Sequence, residues 1–265
     1  MASVYADRML VVQTHSEGCC VYEGVGFDLG ETLIEYEGVP LNWEREYPNA
    51  LAAVAAVWAG SPTPAQIEAG SAILRCYNTR LVPRRHEIKA TTLFGELLTA
   101  LGAPPGQTPV LLDAAVDAFF GVFSRRARTF PDVAAALEPL IDAGVPIGVL
   151  TDVPYGMPRR LVLQDLSVAG LDSLTSATLT STEVGVRKPE PAGFRSLADA
   201  QGCAAEAMLY VGNEQKDVTG AHAAGMTAAL IWRNAEPAPA WGQNITVSSM
   251  EQLLYVVLEG ERTGV

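Results

Sequence analysis

Apolar runs of strand length alternate with amphipathic, helix-length stretches through the second half of the chain. A helix over 131–143 closes at Gly144, and the run Pro146 to Leu150 follows it. The series continues with a helix over 158–168, a strand near 176–179 and a helix from Ala192 to Gln201. A strand from Ala207 to Val211, a helix near 216–224, a strand from Ala228 to Trp232 and a helix from Met250 to Leu258 complete it. Strands separated by helices form a parallel sheet covered on both faces. One more apolar run, Gly24 to Phe27, stands far upstream and ends on Asp28.

Between that first run and Pro131 the pattern is helical with little strand signal. Leu51, Val54 and Val57 recur at helical spacing within Tyr47 to Ala59. Thr63-Pro64 reads as a cap and first-turn proline for a helix reaching about Tyr77. Two further helices are expected over Thr91 to Leu101 and Val110 to Arg126, and four such helices pack as a bundle. The pattern thus divides the chain into an α/β core, 1–41 with 128–265, and a helical insertion over 42–127, with linkers near 36–44 and 127–131. Residues 1–23 read as an N-terminal extension, in which Arg8 to Gln13 could add an edge strand. Glu35 to Leu41, with Gly38 and Pro40, reads as a small hairpin flap.

Composition narrows the classes. Apolar residues make up 49% of the 265 and charged residues 18%, the balance of a globular chain. The net charge of −12 opposes nonspecific nucleic-acid binding, which needs a basic face. No apolar stretch approaches the roughly 20 residues that span a bilayer. Met9 to Val12 is too short for a secretory signal, and Asp7 and Glu17 flank it. Cys19, Cys20, Cys76 and Cys203 show neither metal spacing nor a disulfide frame, so reduced, mostly buried thiols and a cytoplasmic location are expected. His15, His86 and His222 show no metal spacing either, and His222 reads as structural. The oligomeric expectation is a monomer or homodimer.

Four groups of polar residues stand where apolar runs end. Asp28 follows Phe27 and enters Leu29-Gly30-Glu31-Thr32. Thr151 follows Leu150, Lys188 lies in Gly185-Val186-Arg187-Lys188-Pro189, and Asn213, Glu214 and Asp217 follow Val211-Gly212. In a parallel sheet all of them reach the same edge. A carboxylate there can attack phosphorus and carry the group covalently. A lysine and a divalent cation can neutralise the opposing charges, and a threonine hydroxyl can hold a phosphoryl oxygen. Taken singly, Asp28 and Thr151 read as cap or turn residues. Lys188 read alone is a helix-entry charge.

The segments GVGFDLGETL, PIGVLTD, GVRKPEPAGF and LYVGNEQKDVTGAHAAGM, in this order, resemble the haloacid dehalogenase superfamily of phosphohydrolases. The resemblance covers about residues 24–40 and 131–235 and implies a Rossmann-like core with the helical insertion as a cap domain. It implies Asp28 as nucleophile, Thr151 as phosphoryl ligand and Lys188 as charge-balancing cation. Gly30 and Asp152 join Thr151 and Lys188 as substrate-binding positions. Mg²⁺ would be held by Asp28, the Gly30 carbonyl, Asn213 and Asp217, with Asp217 also holding Lys188. The implied substrate is a small phosphorylated metabolite.

Two positions depart from the family pattern. Gly30 stands where an acid–base aspartate is usual, and such a group is typically worth about 10²–10⁴-fold in rate. Asn213 stands where a metal-binding aspartate is usual, and it brings no charge. Glu31 and Glu35 are candidate substitutes for the missing acid, although turn carboxylates are ordinarily solvated. Two other readings follow: a binding or regulatory protein on the same fold, and carbon–halogen hydrolysis by the same aspartate. Imine chemistry would need Lys89, whose Arg84-Arg85-His86-Glu87 surroundings read as a solvated surface. Arg80, Arg84, Arg85, Arg125, Arg126 and Arg128 are candidate contacts for an anionic substrate, against the ordinary reading of a solvated face.

Overall fold

The computed structural model describes residues 22–259 of the chain. The Arg8 to Gln13 strand, His15, Cys19 and Cys20 lie outside the described residues. β1 (Gly24–Phe27) is buried at all four positions, as a strand covered on both faces must be. β2 (Ile34–Tyr36) leads into helices α1 (Tyr47–Ala56), α2 (Pro64–Tyr77), α3 (Ala90–Ala100) and α4 (Thr108–Ser124), which return through β3 (Ala127–Thr129). The chain then runs through α5 (Val133–Asp142), β4 (Ile147–Thr151), α6 (Arg159–Val168), β5 (Ala177–Thr180) and α7 (Ser181–Val184). It ends with α8 (Pro191–Gln201), β6 (Met208–Gly212), α9 (Gln215–Ala224), β7 (Thr227–Ile231), β8 (Ile245–Val247) and α10 (Met250–Glu259). The short strand β8 carries no signal that the sequence pattern identified.

Six strands make one parallel sheet in the order β5-β4-β1-β6-β7-β8. β1 lies between β4 and β6, with Phe27 opposite Val149 on one side and Val211 on the other. The strand order reverses there, and open α/β sheets form their crevice at such a point. Side chains alternate between the faces. Leu150, Tyr210 and Leu230 pack with Phe194, Leu197 and Val218 of α8 and α9. Phe27, Val149 and Val211 join the larger core on the other face, with Leu137, Leu166 and Leu253. Each fully buried side chain of this kind contributes about 1.5–3 kcal/mol. A methyl on Gly26 would stand 2.7 Å from Leu197 Cδ2 and 2.9 Å from Tyr210 Cδ2, so glycine is what lets α8 approach β1.

Four helices, α1 to α4, lie between β2 and β3. Thr63 Oγ1 accepts from Gln66 N at 3.3 Å and Gln66 Oε1 accepts from Thr63 N at 2.8 Å, a reciprocal cap on α2. Trp43 stacks on Phe123 with ring centres 3.8 Å apart. Tyr155 enters the same aromatic cluster from the loop after β4, edge-on to Phe119, and its hydroxyl lies 2.6 Å from that of Tyr47.

Three expectations are corrected. Glu35 to Leu41 is not a hairpin: Ile34–Tyr36 pairs antiparallel with Ala127–Thr129, so the two linkers of the insertion pair with each other. Residues 84–87 are a solvated surface only in part: Arg85 and His86 are exposed, whereas Arg84 and Glu87 are half-buried. His86 bridges Val186, Glu87 N donates to Gly185 O at 3.0 Å, and the Arg187 guanidinium pairs with the buried Glu87 carboxylate. Lys89 itself is exposed. Cys76 is exposed and Cys203 half-buried, both as free thiols, and His222 is exposed near the end of α9. Among the described residues, no helix is long and apolar enough to cross a membrane.

Candidate active site

β1, β4 and β6 deliver their carboxyl ends side by side, and the loop before α8 closes over them. Asp28 begins where β1 stops, and its N–H still donates to Val211 O at 2.9 Å. Lys188 reaches in from the loop before Pro189. Its ammonium is 2.6 Å from Asp28 Oδ1 and 2.6 Å from Asp217 Oδ1. It also donates to the Tyr210 hydroxyl at 3.2 Å, which donates to Leu150 O at 2.9 Å. Asp217 is placed by α9: its Oδ2 accepts from Glu214 N at 2.9 Å and closes the first turn of that helix. Gly212 makes room for it, since a methyl there would lie 2.4 Å from the Asp217 carboxyl carbon.

Burial raises the Asp28 pKa to about 6, against the pull of Lys188, so the group is still mostly ionised at neutral pH. Burial pulls Lys188 down, but the carboxylates of Asp217 and Asp28 outweigh it and hold the ammonium well above its ordinary range.

A second layer surrounds this core. Asp152 Oδ1 accepts from Lys188 N at 3.0 Å, and its Oδ2 faces Lys216 Nζ at 3.4 Å and Arg187 at 3.7 Å. Arg187 donates to Val153 O at 2.7 Å. Lys216 lies 2.6 Å from Glu214 Oε2, and Arg80 of the helical insertion pairs with Glu214 Oε1. Burial raises the Glu214 pKa, but Lys216 and Arg80 more than reverse this and take it down to about 2.

The cavity over Asp28 has a volume of about 150 Å³ and is lined by Thr151, Asp152, Asn213, Glu214 and Lys216 from the sheet edge. Trp43, Asn78 and Arg80 of the insertion line it from above, and Tyr36, Tyr155 and Asp165 also reach it. The predicted positions therefore meet: Asp28, Gly30, Thr151, Asp152 and Asn213 line one cavity, and Lys188 joins Asp28 to Asp217 beneath it. Of the arginines considered in the insertion, Arg80 lines the cavity; Arg84, Arg85, Arg125, Arg126 and Arg128 do not. Glu31 lines it and Glu35 is exposed.

Gly30 has no atom within 4 Å of where a Cβ would be, so the position of the missing carboxyl is open space. Glu31 follows in a left-handed conformation at φ 58°, costly for a non-glycine residue. Burial, with the charge of Glu35, raises its pKa.

Few oxygen donors at the sheet edge are free for a divalent cation. Both Asp217 oxygens are engaged, by Lys188 and by Glu214 N, while the Asn213 amide oxygen accepts from Thr32 Oγ1 at 3.3 Å and keeps a second lone pair. Among the described residues, no cluster of three His, Cys, Asp or Glu could hold a metal alone. The set is one carboxylate from Asp28, the amide of Asn213 and the Gly30 carbonyl. It fits a hard cation that retains water and takes a substrate oxygen, as Mg²⁺ does. The cavity wall also carries five carboxylates, of Asp28, Glu31, Asp152, Asp165 and Glu214, against the three cations of Arg80, Arg187 and Lys216.

Sequence reasoning missed Arg187, Lys216, Tyr155 and Asp165 as site components. Arg187 and Lys216 adjoin residues it singled out, whereas Tyr155 and Asp165 sit in apolar surroundings that only tertiary packing brings to the cavity.

A family model described as haloacid dehalogenase-like hydrolase matches residues 22–225. A phosphoserine phosphatase of Thermus thermophilus is 36% identical over 146 residues, 55% of this chain and 55% of the relative. A phosphoglycolate phosphatase of Rhodospirillum rubrum is 36% identical over 107 residues, 40% of this chain and 42% of the relative. The chain thus spans about half the length of such relatives. The crystal structure of a 2-haloacid dehalogenase from Pseudomonas syringae superposes with a TM-score of 0.64 at 22% identity, covering 89% of this chain and 98% of that one.

Proposed function

Since the chain belongs to the haloacid dehalogenase-like hydrolases, we propose that it hydrolyses the phosphate monoester of a small metabolite, with Asp28 as nucleophile. The observation that carries this reading is the Asp28–Lys188–Asp217 bridge at the sheet edge, directly beneath a cavity lined by Thr151. In the first step an Asp28 carboxylate oxygen forms a bond to phosphorus as the bond to the leaving oxygen breaks, giving an aspartyl-phosphate. Lys188 holds Asp28 in line and offsets the charge gathered around the transferring group. Thr151 and Asp152 bound the phosphoryl position. The leaving oxygen takes its proton from Glu31, the carboxyl next to the vacant side-chain position of Gly30. In the second step the Glu31 carboxylate takes a proton from water as the water oxygen bonds to phosphorus and the bond from phosphorus to the Asp28 oxygen breaks, which releases phosphate and restores both Asp28 and the Glu31 carboxyl.

Asp28, the Gly30 carbonyl and Asn213 would hold Mg²⁺, with Asp217 acting through Lys188. When bound, that ion neutralises phosphoryl charge in a cavity whose carboxylates outnumber its cations. The helices between β2 and β3 serve as a cap that shields the site from bulk water and shapes the leaving-group end.

The test is phosphate release from a panel of phosphate monoesters with and without Mg²⁺. The panel includes phosphoserine and phosphoglycolate, and Asp28→Asn is the control. The expected result is Mg²⁺-dependent release that Asp28→Asn abolishes. Ligand-induced thermal stabilisation without turnover would favour a binding protein on this fold, and metal-independent halide release from a 2-haloacid would favour dehalogenation.

A further inference from the structure

The cavity wall has a chemical character of its own. Its apolar part is formed by Ile34, Trp43, Tyr155, Met157 and Val162, all buried. Tyr155 is held there by a left-handed backbone at φ 52°. Strain of this kind, about 1–3 kcal/mol, persists where the surroundings over-determine it. Here the Tyr47 hydroxyl and the rings of Trp43 and Phe119 fix the side chain.

Among the described residues, each cationic side chain lining the cavity is already paired with a carboxylate. Arg80 and Lys216 share Glu214, and Arg187 is held by Glu87 and Asp152. Lys188, beneath the wall, lies between Asp28 and Asp217. In contrast, two lining carboxyl groups, Glu31 and Asp165, form no ion pair among the described residues, although the charges of Arg233 and Arg80 reach Glu31. Glu31 makes no side-chain hydrogen bond to a described residue. Asp165 is fully buried, and its Oδ2 accepts from the Tyr36 hydroxyl at 2.5 Å.

A second anionic group on a substrate would therefore enter a chamber with no spare cation. Burying a charge without a partner is strongly unfavourable. The volume also matters. About 150 Å³, the scale of a cavity that takes one benzene-sized molecule and shared here with the phosphoryl group, is small for a nucleoside.

We propose that this chain selects phosphate monoesters with a compact leaving group that has an apolar body and carries no second anion. The inference rests on the phosphatase reading above and refines its substrate class. Carboxylate-bearing esters such as phosphoglycolate and phosphoserine are then poor substrates, and nucleotides poorer still.

The experiment compares kcat/KM of the full chain, with Mg²⁺ present, for phenyl phosphate, a short alkyl phosphate, phosphoglycolate, phosphoserine and adenosine monophosphate. At least tenfold preference for the two uncharged leaving groups is expected. Equal or higher kcat/KM for a carboxylate-bearing ester overturns the selectivity and leaves the phosphatase reading standing. Release from none of the five, with Asp28→Asn indistinguishable from the natural chain, overturns both. Glu214→Gln provides a separate check, since it takes the carboxylate away from Arg80 and leaves Lys216 only its longer contact to Asp152. The ratio of kcat/KM for phosphoglycolate to that for phenyl phosphate should rise about tenfold, and an unchanged ratio counts against the pairing argument.

Discussion

The Lys188 ammonium lies 2.6 Å from the Asp28 carboxylate, although 160 positions separate the two residues in the chain. The same ammonium touches Asp217, so one cation holds two buried carboxylates. Replacing it by methionine leaves both without a counter-charge. Removing one partner of a buried ion pair costs about 3–5 kcal/mol. Lys188→Met should lose that much stability in denaturant titration as well as its phosphate release. Asp28→Asn, which leaves Lys188 paired with Asp217, should lose activity but keep most of its stability. Equal stability of Lys188→Met and the natural chain would show that the bridge is not formed.

Glu31 and Gly30 form a second pair for testing. Glu31→Gln removes the proposed proton donor and should lower kcat by about 10²–10⁴-fold on esters of poor leaving groups. The loss should be small on 4-nitrophenyl phosphate, whose leaving group needs little protonation. Open space at the Gly30 Cβ means that an aspartate can be built there without a clash. Gly30→Asp in the Glu31→Gln background should restore much of the lost rate. Failure of that rescue, with the double variant folded by circular dichroism, would place the proton donor elsewhere.

Asp165 gives a pH-dependent stability prediction. Burial raises its pKa, while the neighbouring Ser124 hydroxyl and the hydrogen bond from Tyr36 oppose the rise. With the folded pKa above the unfolded one, ionisation destabilises the fold as pH climbs past the ordinary carboxyl value near 3.9. Below that value the group is protonated in both states and costs nothing. Asp165→Asn keeps an acceptor for Tyr36 and removes the charge. It should raise stability at pH 7–8 by about 1 kcal/mol, or roughly 2–4 °C in Tm for a chain of this size. The gain should fade as pH approaches 4, and a pH-independent difference in Tm would contradict it.

Glu87 ties the helical insertion to the loop that carries Lys188, through the buried guanidinium of Arg187. Glu87→Ala leaves that guanidinium with Val153 O and a longer contact to Asp152. A stability loss of about 3–5 kcal/mol is expected, read as a lowered guanidinium midpoint. Glu87→Gln, which can still accept a hydrogen bond, should lose less. Identical midpoints for the two variants would mean that charge at Glu87 contributes all of the effect and hydrogen bonding none.

The alternation of apolar runs and helices determined the parallel sheet. The strand-end positions of Asp28 and Thr151, with Lys188 just before a helix and Asp217 in the helix that follows β6, determined which side chains could meet at its edge. Those signals are local, because a buried strand must be apolar throughout and a polar residue that ends it must emerge at the rim. Asp217 and Gly212 illustrate the limit of local reading. Their packing, side chain against bare backbone, depends on the turn between β6 and α9. Tertiary structure alone decided that β2 pairs with β3, that Glu87 docks on Arg187, and that Tyr155, Trp43 and Asp165 meet over the site. These contacts join residues far apart in the chain whose types are ordinary for core or surface. Their roles come from what packs against them, and periodicity along a single strand or helix carries no record of that.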